Sequence, residues 1–147
     1  MSYTYEYPRP SVTVDIALLA SVDNKLNVLL IQRGAEPYKG SWALPGGFMD
    51  MDEMLDNAAL RELKEETGIT GVSLSRLDVF DAPGRDPRGR TITLTYVGIC
   101  ASLLEAKGMD DAADAKWYDV DHLPDLAFDH AEMIDRAISW CNTHHSS

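Results

Sequence analysis

The chain has 147 residues, of which 45% are apolar and 25% charged, and its net charge is -11 at pH 7. This suits one globular domain, residues 1–147, with its own apolar core, and excludes a disordered chain. The acidity argues against a nucleic-acid or anionic-membrane surface, and no apolar run approaches the roughly 18–20 residues of a membrane helix.

In chain order, Val12–Ala20 and Leu26–Gln32 are apolar runs around the turn-like Asp23-Asn24, which predicts paired strands. Ile16–Val22 is too short for a secretion signal and follows Asp15, with only Arg9 as basic charge ahead of it, so it reads as strand. Glycines and a proline punctuate a short extended piece over Gly40–Phe48. A helix is expected from about Glu53 to Thr67, then strands over Val72–Phe80, Arg90–Leu103 and Asp114–Val120. A last helix fits the stretch from Phe128 to Asn142, where Ile134, Ala137, Ile138 and Cys141 recur at helical spacing and Asp129 is a candidate N-cap. Strands on either side of a central helix, with another helix at the end, predict an α/β fold in which helices cover a mixed sheet. Cys100 and Cys141 show no metal-ligand or redox spacing and read as reduced structural thiols of a cytoplasmic protein.

The central helix carries its acids in the wrong places. At about 100° per residue, Leu55, Ala59 and Leu63 form one apolar stripe flanked by Ala58, and Glu62 and Glu66 fall inside it. Glu65 lies at its edge, whereas Asp56, Asn57 and Lys64 face away. Glu62 repels Glu65 and Glu66 at i+3 and i+4, each pair costing about 0.2–0.5 kcal/mol. Glu65 and Glu66 also meet the negative end of the helix dipole, just before the natural stop Gly68-Ile69. A solvated acidic helix end belongs opposite the apolar stripe. Acids within the stripe suit hard oxygen ligands of a divalent cation, Mg²⁺ or Mn²⁺. An EF-hand is excluded, because Asp50-x-Asp52 lacks the third acid, the glycine and the final glutamate.

The stretch Gly47–Ile69 resembles the Nudix box, GX5EX7REUXEEXGU with U aliphatic. Gly47, Glu53, Arg61, Glu62, Leu63, Glu65, Glu66, Gly68 and Ile69 occupy all nine constrained positions. The resemblance implies an α/β/α sandwich with a mixed sheet between helices, and hydrolysis of a nucleoside diphosphate linked to another moiety. It implies metal ligands at Glu62, Glu65 and Glu66, joined by the backbone of Gly46, and a pairing of Arg61 with Glu53 that holds the loop–helix–loop together. Glu53, Arg61 and Glu65 are the catalytic candidates. The general base remains open between Glu53 and Glu65 in the box and Glu105, Asp110 and Asp111 in a later acidic loop flexible enough to close over a substrate.

Substrate signals lie outside the box. Arg85, Arg88 and Arg90 crowd one loop of an acidic chain, and arginine suits bidentate phosphate contact. The competing reading is a charged turn neutralised by Asp81 and Asp86. Phe48 is a further substrate-contact candidate. Pro83 lies at an offset from the box similar to that in ADP-ribose pyrophosphatases. The resemblance to that branch implies a small nucleotide substrate, ADP-ribose, cleaved to AMP and ribose 5-phosphate. Alternatives are a nucleoside triphosphate pyrophosphohydrolase and a non-catalytic ADP-ribose sensor. The branch includes regulators with a decayed box and a winged helix; the intact box and the chain's end soon after its last helix favour the enzyme. No nucleic acid or membrane is expected as a partner; a second copy of the chain is a candidate. His130 reads as a cap-region residue, Trp117 and Tyr7 as adenine-stacking or packing residues, and His144 and His145 as a terminal pair without metal context.

Overall fold

The long apolar run of the first strand is explained by burial on both faces. β1 (Ser11–Val22) lies centrally in a seven-stranded mixed sheet of the computed structural model, which describes residues 9–144. Its side chains alternate: Val14, Ile16 and Leu18 join one apolar cluster, Ala17 and Leu19 the other. β2 (Lys25–Arg33) returns antiparallel through Asp23 and Asn24, whose φ angles of 53° and 63° are those of a tight two-residue hairpin turn. β3 (Trp42–Ala43) pairs with β2, and β4 (Gly46–Phe48) pairs antiparallel with the start of β1. β5 (Ser75–Phe80) pairs antiparallel with β6 (Thr91–Cys100), which runs parallel to β1 from Ser11↔Thr91 to Ala20↔Cys100. β7 (Ala112–Asp119) completes the sheet against β2.

Helix α1 (Leu55–Thr67) covers one face through Ala58, Ala59 and Leu63, and α2 (His130–His144) covers the other through Met133, Ile134, Ala137 and Cys141. The result is an α/β/α sandwich with a mixed sheet between its helices. α1 begins at Leu55, slightly later than the expected start at about Glu53, and Met54 at its N-cap has extended backbone and supplies no side-chain cap. It ends at Gly68, whose left-handed φ of 78° lets its N–H bond back to the Lys64 carbonyl at 2.8 Å.

Two expectations change at this level, and for Trp117 one of two alternatives is decided. The acidic loop after β6 is not a free flap: Met109 N–H donates to the Glu66 carbonyl and Lys107 N–H to the Thr67 carbonyl, so the loop is pinned across the orphan carbonyls of α1. Asp129 precedes α2, but its side chain binds Arg85 instead of capping the helix. Trp117 packs against the α1-side cluster and donates to the Leu104 carbonyl, a packing role. Tyr7 and His145 lie outside the described residues, and His144 stacks on Trp140. Both described cysteines are free, Cys141 buried and Cys100 partly so. No described helix is long and apolar enough to cross a membrane.

Candidate active site

The acids that the helical wheel places on the apolar stripe do point inward. Glu66 is 9% exposed, and its carboxylate accepts the Gly46 N–H at 2.7 Å, the one hydrogen bond it receives among the described residues. Burial pushes its pKa up to about 8, against the pull of that hydrogen bond, with Glu62 and Asp15 adding repulsion. Glu62 is also raised, again first by burial, although Arg61 opposes the shift. Two glycines permit close approaches beside these carboxylates. A Cβ on Gly47 would fall 2.6 Å from the Glu62 Oε2, and one on Gly46 only 2.1 Å from the Val14 carbonyl oxygen. At Gly46 a side chain would collide with the β1 backbone, and at Gly47 it would displace the Glu62 carboxylate.

Arg61 is the hub of this wall. Its Nε and Nη2 grip the two oxygens of Glu53 at 2.7 and 2.8 Å, while Nη1 reaches Glu62 at 2.8 Å and Glu65 at 3.1 Å. Nη2 also donates to the Phe48 carbonyl, tying β4 to the helix. Glu53 additionally accepts the Asp50 N–H, and with Arg61 as the main cause its pKa falls to about 2. Glu53 therefore does not line the cleft as a free acid; it braces Arg61. Among the described residues no three His, Cys, Asp or Glu side chains converge as a ready cation cage, since Arg61 stands between Glu53, Glu62 and Glu65. The donor chemistry nevertheless fits a hard divalent ion: oxygen ligands only, and a desolvated Glu66 with no basic side chain bonded to it among the described residues.

Facing this wall across a cleft of about 430 Å³ is one of arginines and aromatics. Arg85 and Arg88 line it; Arg90 does not, and its Nη1 donates to the Asp81 carbonyl. Arg85 is only 5% exposed and is held by Asp129 through two bonds of 2.7 and 2.8 Å, so its guanidinium is occupied rather than offered to a ligand. Arg88 is bound by Asp86 and lies over the rings of Phe48 (4.9 Å) and Phe128 (5.4 Å). Phe48, 43% exposed, does line the cleft. Asp110 and Asp111 line it as well, and Glu105 does not.

Some residues of the cleft went unread in the sequence. Arg33, at the end of β2, faces it over the Phe128 ring, with Nε on the Pro37 carbonyl at 2.6 Å. Asp15 sits at its floor, accepting the Thr93 hydroxyl at 2.7 Å. His130 is more than a cap residue: it is buried, and its Nδ1 accepts the Leu44 N–H at 3.0 Å, which assigns the proton to Nε2, 3.5 Å from Asp15. Burial holds its pKa below the usual histidine value despite Asp15, so it is the neutral ring that pins α2 to the β3–β4 segment. A signal existed for Asp15, a lone charge inside an otherwise apolar strand.

A NUDIX domain model matches residues 9–137 of the chain. The chain is 42% identical over 136 residues to the ADP-ribose pyrophosphatase of Methanocaldococcus jannaschii, an alignment covering 92% of this chain and 78% of that protein. It is 35% identical over 141 residues to the ADPR responsive transcriptional repressor NtrR of Acinetobacter baylyi, covering 93% of this chain but 56% of the repressor. Among solved structures, the NUDIX domain of Shewanella oneidensis NrtR complexed with ADP ribose matches with a TM-score of 0.83 at 34% identity, covering 91% of this chain and 90% of that one.

Proposed function

The chain belongs to the Nudix family, and from that premise we propose that it hydrolyses the diphosphate of ADP-ribose to AMP and ribose 5-phosphate. The observation that carries the reading is the opposition, across one cleft, of a desolvated carboxylate wall and an arginine–aromatic wall. A diphosphate with a nucleoside at one end and a sugar at the other matches both walls. The likeness to an archaeal ADP-ribose pyrophosphatase and to a domain complexed with ADP ribose supports the choice of substrate.

Glu62, Glu65 and Glu66, with the backbone of Gly46 beside them, would hold the divalent cation, with Mg²⁺ as resident and Mn²⁺ as substitute. When bound, such an ion neutralises diphosphate charge and lowers the pKa of an attacking water. The chain's own groups do the rest. Arg61, braced by Glu53, fixes the glutamates and the β4 backbone relative to each other. The water oxygen bonds to one phosphorus as the bridging P–O bond breaks, the bonding pair leaving on the other phosphate. Glu65, on the rigid helix and open to the cleft, is the base assigned to take the water's proton; of the loop acids, Asp110 and Asp111 line the cleft as the alternatives. Arg88 and Arg33 offer cationic faces to the phosphates, and Phe48 and Phe128 offer rings to the base or sugar.

A panel of ADP-ribose, other nucleoside diphosphate sugars and (deoxy)nucleoside triphosphates with Mg²⁺, read by phosphatase-coupled phosphate release, tests the proposal. ADP-ribose is expected to give the highest kcat/KM, and a clear preference for an oxidised dGTP overturns the substrate. Tight binding of ADP-ribose without turnover establishes instead the sensor reading that the repressor relative favours. The free thiols and the net charge of -11 support a cytoplasmic protein without a nucleic-acid partner, and light scattering decides whether a second copy associates.

A further inference from the structure

The charge that the arginine wall presents depends on what already neutralises it. Among the described residues, nine carboxylates line the cleft against four guanidinium groups. Arg61 is engaged by the glutamates around α1 and Arg85 by Asp129. Arg33 has no carboxylate bonded to it among the described residues; burial and the charge of Arg88 hold its pKa below the usual arginine value. That leaves Arg88, and its partner Asp86 is unusually placed. The Asp86 side chain is 2% exposed, and its two oxygens take the Arg88 guanidinium at 2.7 and 3.0 Å. Oδ1 also accepts the Arg88 backbone N–H at 2.9 Å, which fixes the carboxylate under the guanidinium. Burial opposes ionisation of Asp86, but the hydrogen bonds and charge of Arg88 outweigh it and hold the acid below the usual carboxylate range. Asp86 is thus a shielded, permanent negative charge applied to the arginine that lies on Phe48 and Phe128 at the cleft wall.

We propose that Asp86 is a specificity-determining residue acting through Arg88: by cancelling that charge within the cleft, it leaves enough positive field for a diphosphate ester and too little for a nucleoside triphosphate. This rests on the ADP-ribose reading above and supplies its physical basis. A diphosphate bridging two sugars carries about two negative charges near neutral pH and a triphosphate about four. Every extra phosphate charge meets an already acidic cleft, and charges a few ångströms apart in a partly screened site alter affinity by about tenfold or more.

The test is Asp86→Asn, which keeps the acceptor for the Arg88 N–H and removes the charge. The kcat/KM for ATP and dGTP with Mg²⁺ is expected to rise about tenfold or more, carried by KM, while that for ADP-ribose rises no more than about threefold. A merely structural role lowers turnover of both substrates and produces no absolute gain on triphosphates. Arg88→Gln gives the opposite sign, because the Asp86 charge is then uncompensated: triphosphate kcat/KM must fall further than that for ADP-ribose, and this measurement stands even if the Asn variant fails to fold. Triphosphate activity that is unchanged or lower in a folded Asp86→Asn protein overturns the proposal. A wild type without ADP-ribose turnover overturns instead the substrate reading beneath it.

Discussion

Glu66→Gln isolates the electrostatic strain of the carboxylate wall. Glu66 titrates near 4.5 when unfolded and at about 8 when buried in α1. At ~1.4 kcal/mol per tenfold change, that difference is about 4–5 kcal/mol; relaxation toward the open cleft trims it to about 3 kcal/mol. The folded-state pKa is raised, so the folded form holds the proton longer than the unfolded form does. Below about pH 4.5 both states are protonated and Glu66 contributes no pH dependence. Between about 4.5 and 8 the unfolded state loses its proton first, so stability falls as pH rises, and above about 8 the full penalty is present. Glutamine never ionises and still offers an oxygen to the Gly46 N–H.

In chelator, wild type and Glu66→Gln should therefore have nearly equal stability at pH 4.5. At pH 9 the variant should be about 3 kcal/mol more stable, on the order of 9 °C in Tm for a chain of this size. Urea and thermal denaturation followed by tryptophan fluorescence between pH 4.5 and 9 give the comparison. Saturating Mg²⁺ at pH 8 should stabilise wild type by about 2.7 kcal/mol at a hundred times its Kd, and the variant by much less. A variant that is less stable at pH 9, or a difference independent of pH, refutes the account of Glu66 as a strained carboxylate.

The two glycines before α1 should behave differently. Gly47→Ala meets only the movable carboxylate of Glu62, so the fold should survive while kcat drops about a hundredfold, as expected for an ångström-scale displacement of a functional group. Gly46→Ala meets the backbone of Val14 and should lose about 3 kcal/mol or more of stability, read by urea denaturation. Glu53→Gln weakens the brace on Arg61 and should lower kcat about tenfold and raise the Mg²⁺ concentration for half-maximal rate. Arg85→Ala should destabilise the protein by about 3–5 kcal/mol, because it strands the Asp129 carboxylate, instead of simply raising KM as a surface phosphate contact would. A folded Arg85→Ala protein of wild-type stability and raised KM contradicts that assignment.

The elements were legible in the sequence wherever the pattern was local. The Asp23-Asn24 turn, the apolar runs of β1 and β2 and the Gly68 stop each depend on neighbours a few residues away. The start of α1 was not, because Met54 carries no capping group to mark it. The parallel pairing of β1 with β6 joins segments far apart in the chain, and no local pattern encodes it. The acidic loop read as mobile for the same reason: its anchors are the Glu66 and Thr67 carbonyls, backbone groups that any residue type supplies.

The two walls of the site differ in the same way. The glutamates could be placed by angle alone, because a helix converts spacing into direction and Glu62 and Glu66 share a face with Leu63. The arginines sit in a loop, where spacing does not determine direction. Arg85 finds Asp129 44 positions away, Arg88 finds Asp86 two positions away, and Arg90 turns to a carbonyl. Three arginines that looked equivalent thus become a buried strut, a cleft guanidinium paired with Asp86 and a loop tie. Arg33, just beyond the strand expected over Leu26–Gln32 and unread as a site residue, is left as the cleft guanidinium with no carboxylate bonded to it among the described residues. The count of cations near a site is therefore a poor measure of its field. What matters is which of them the fold has already paired, and on this wall the pairing was settled by Asp86 and Asp129.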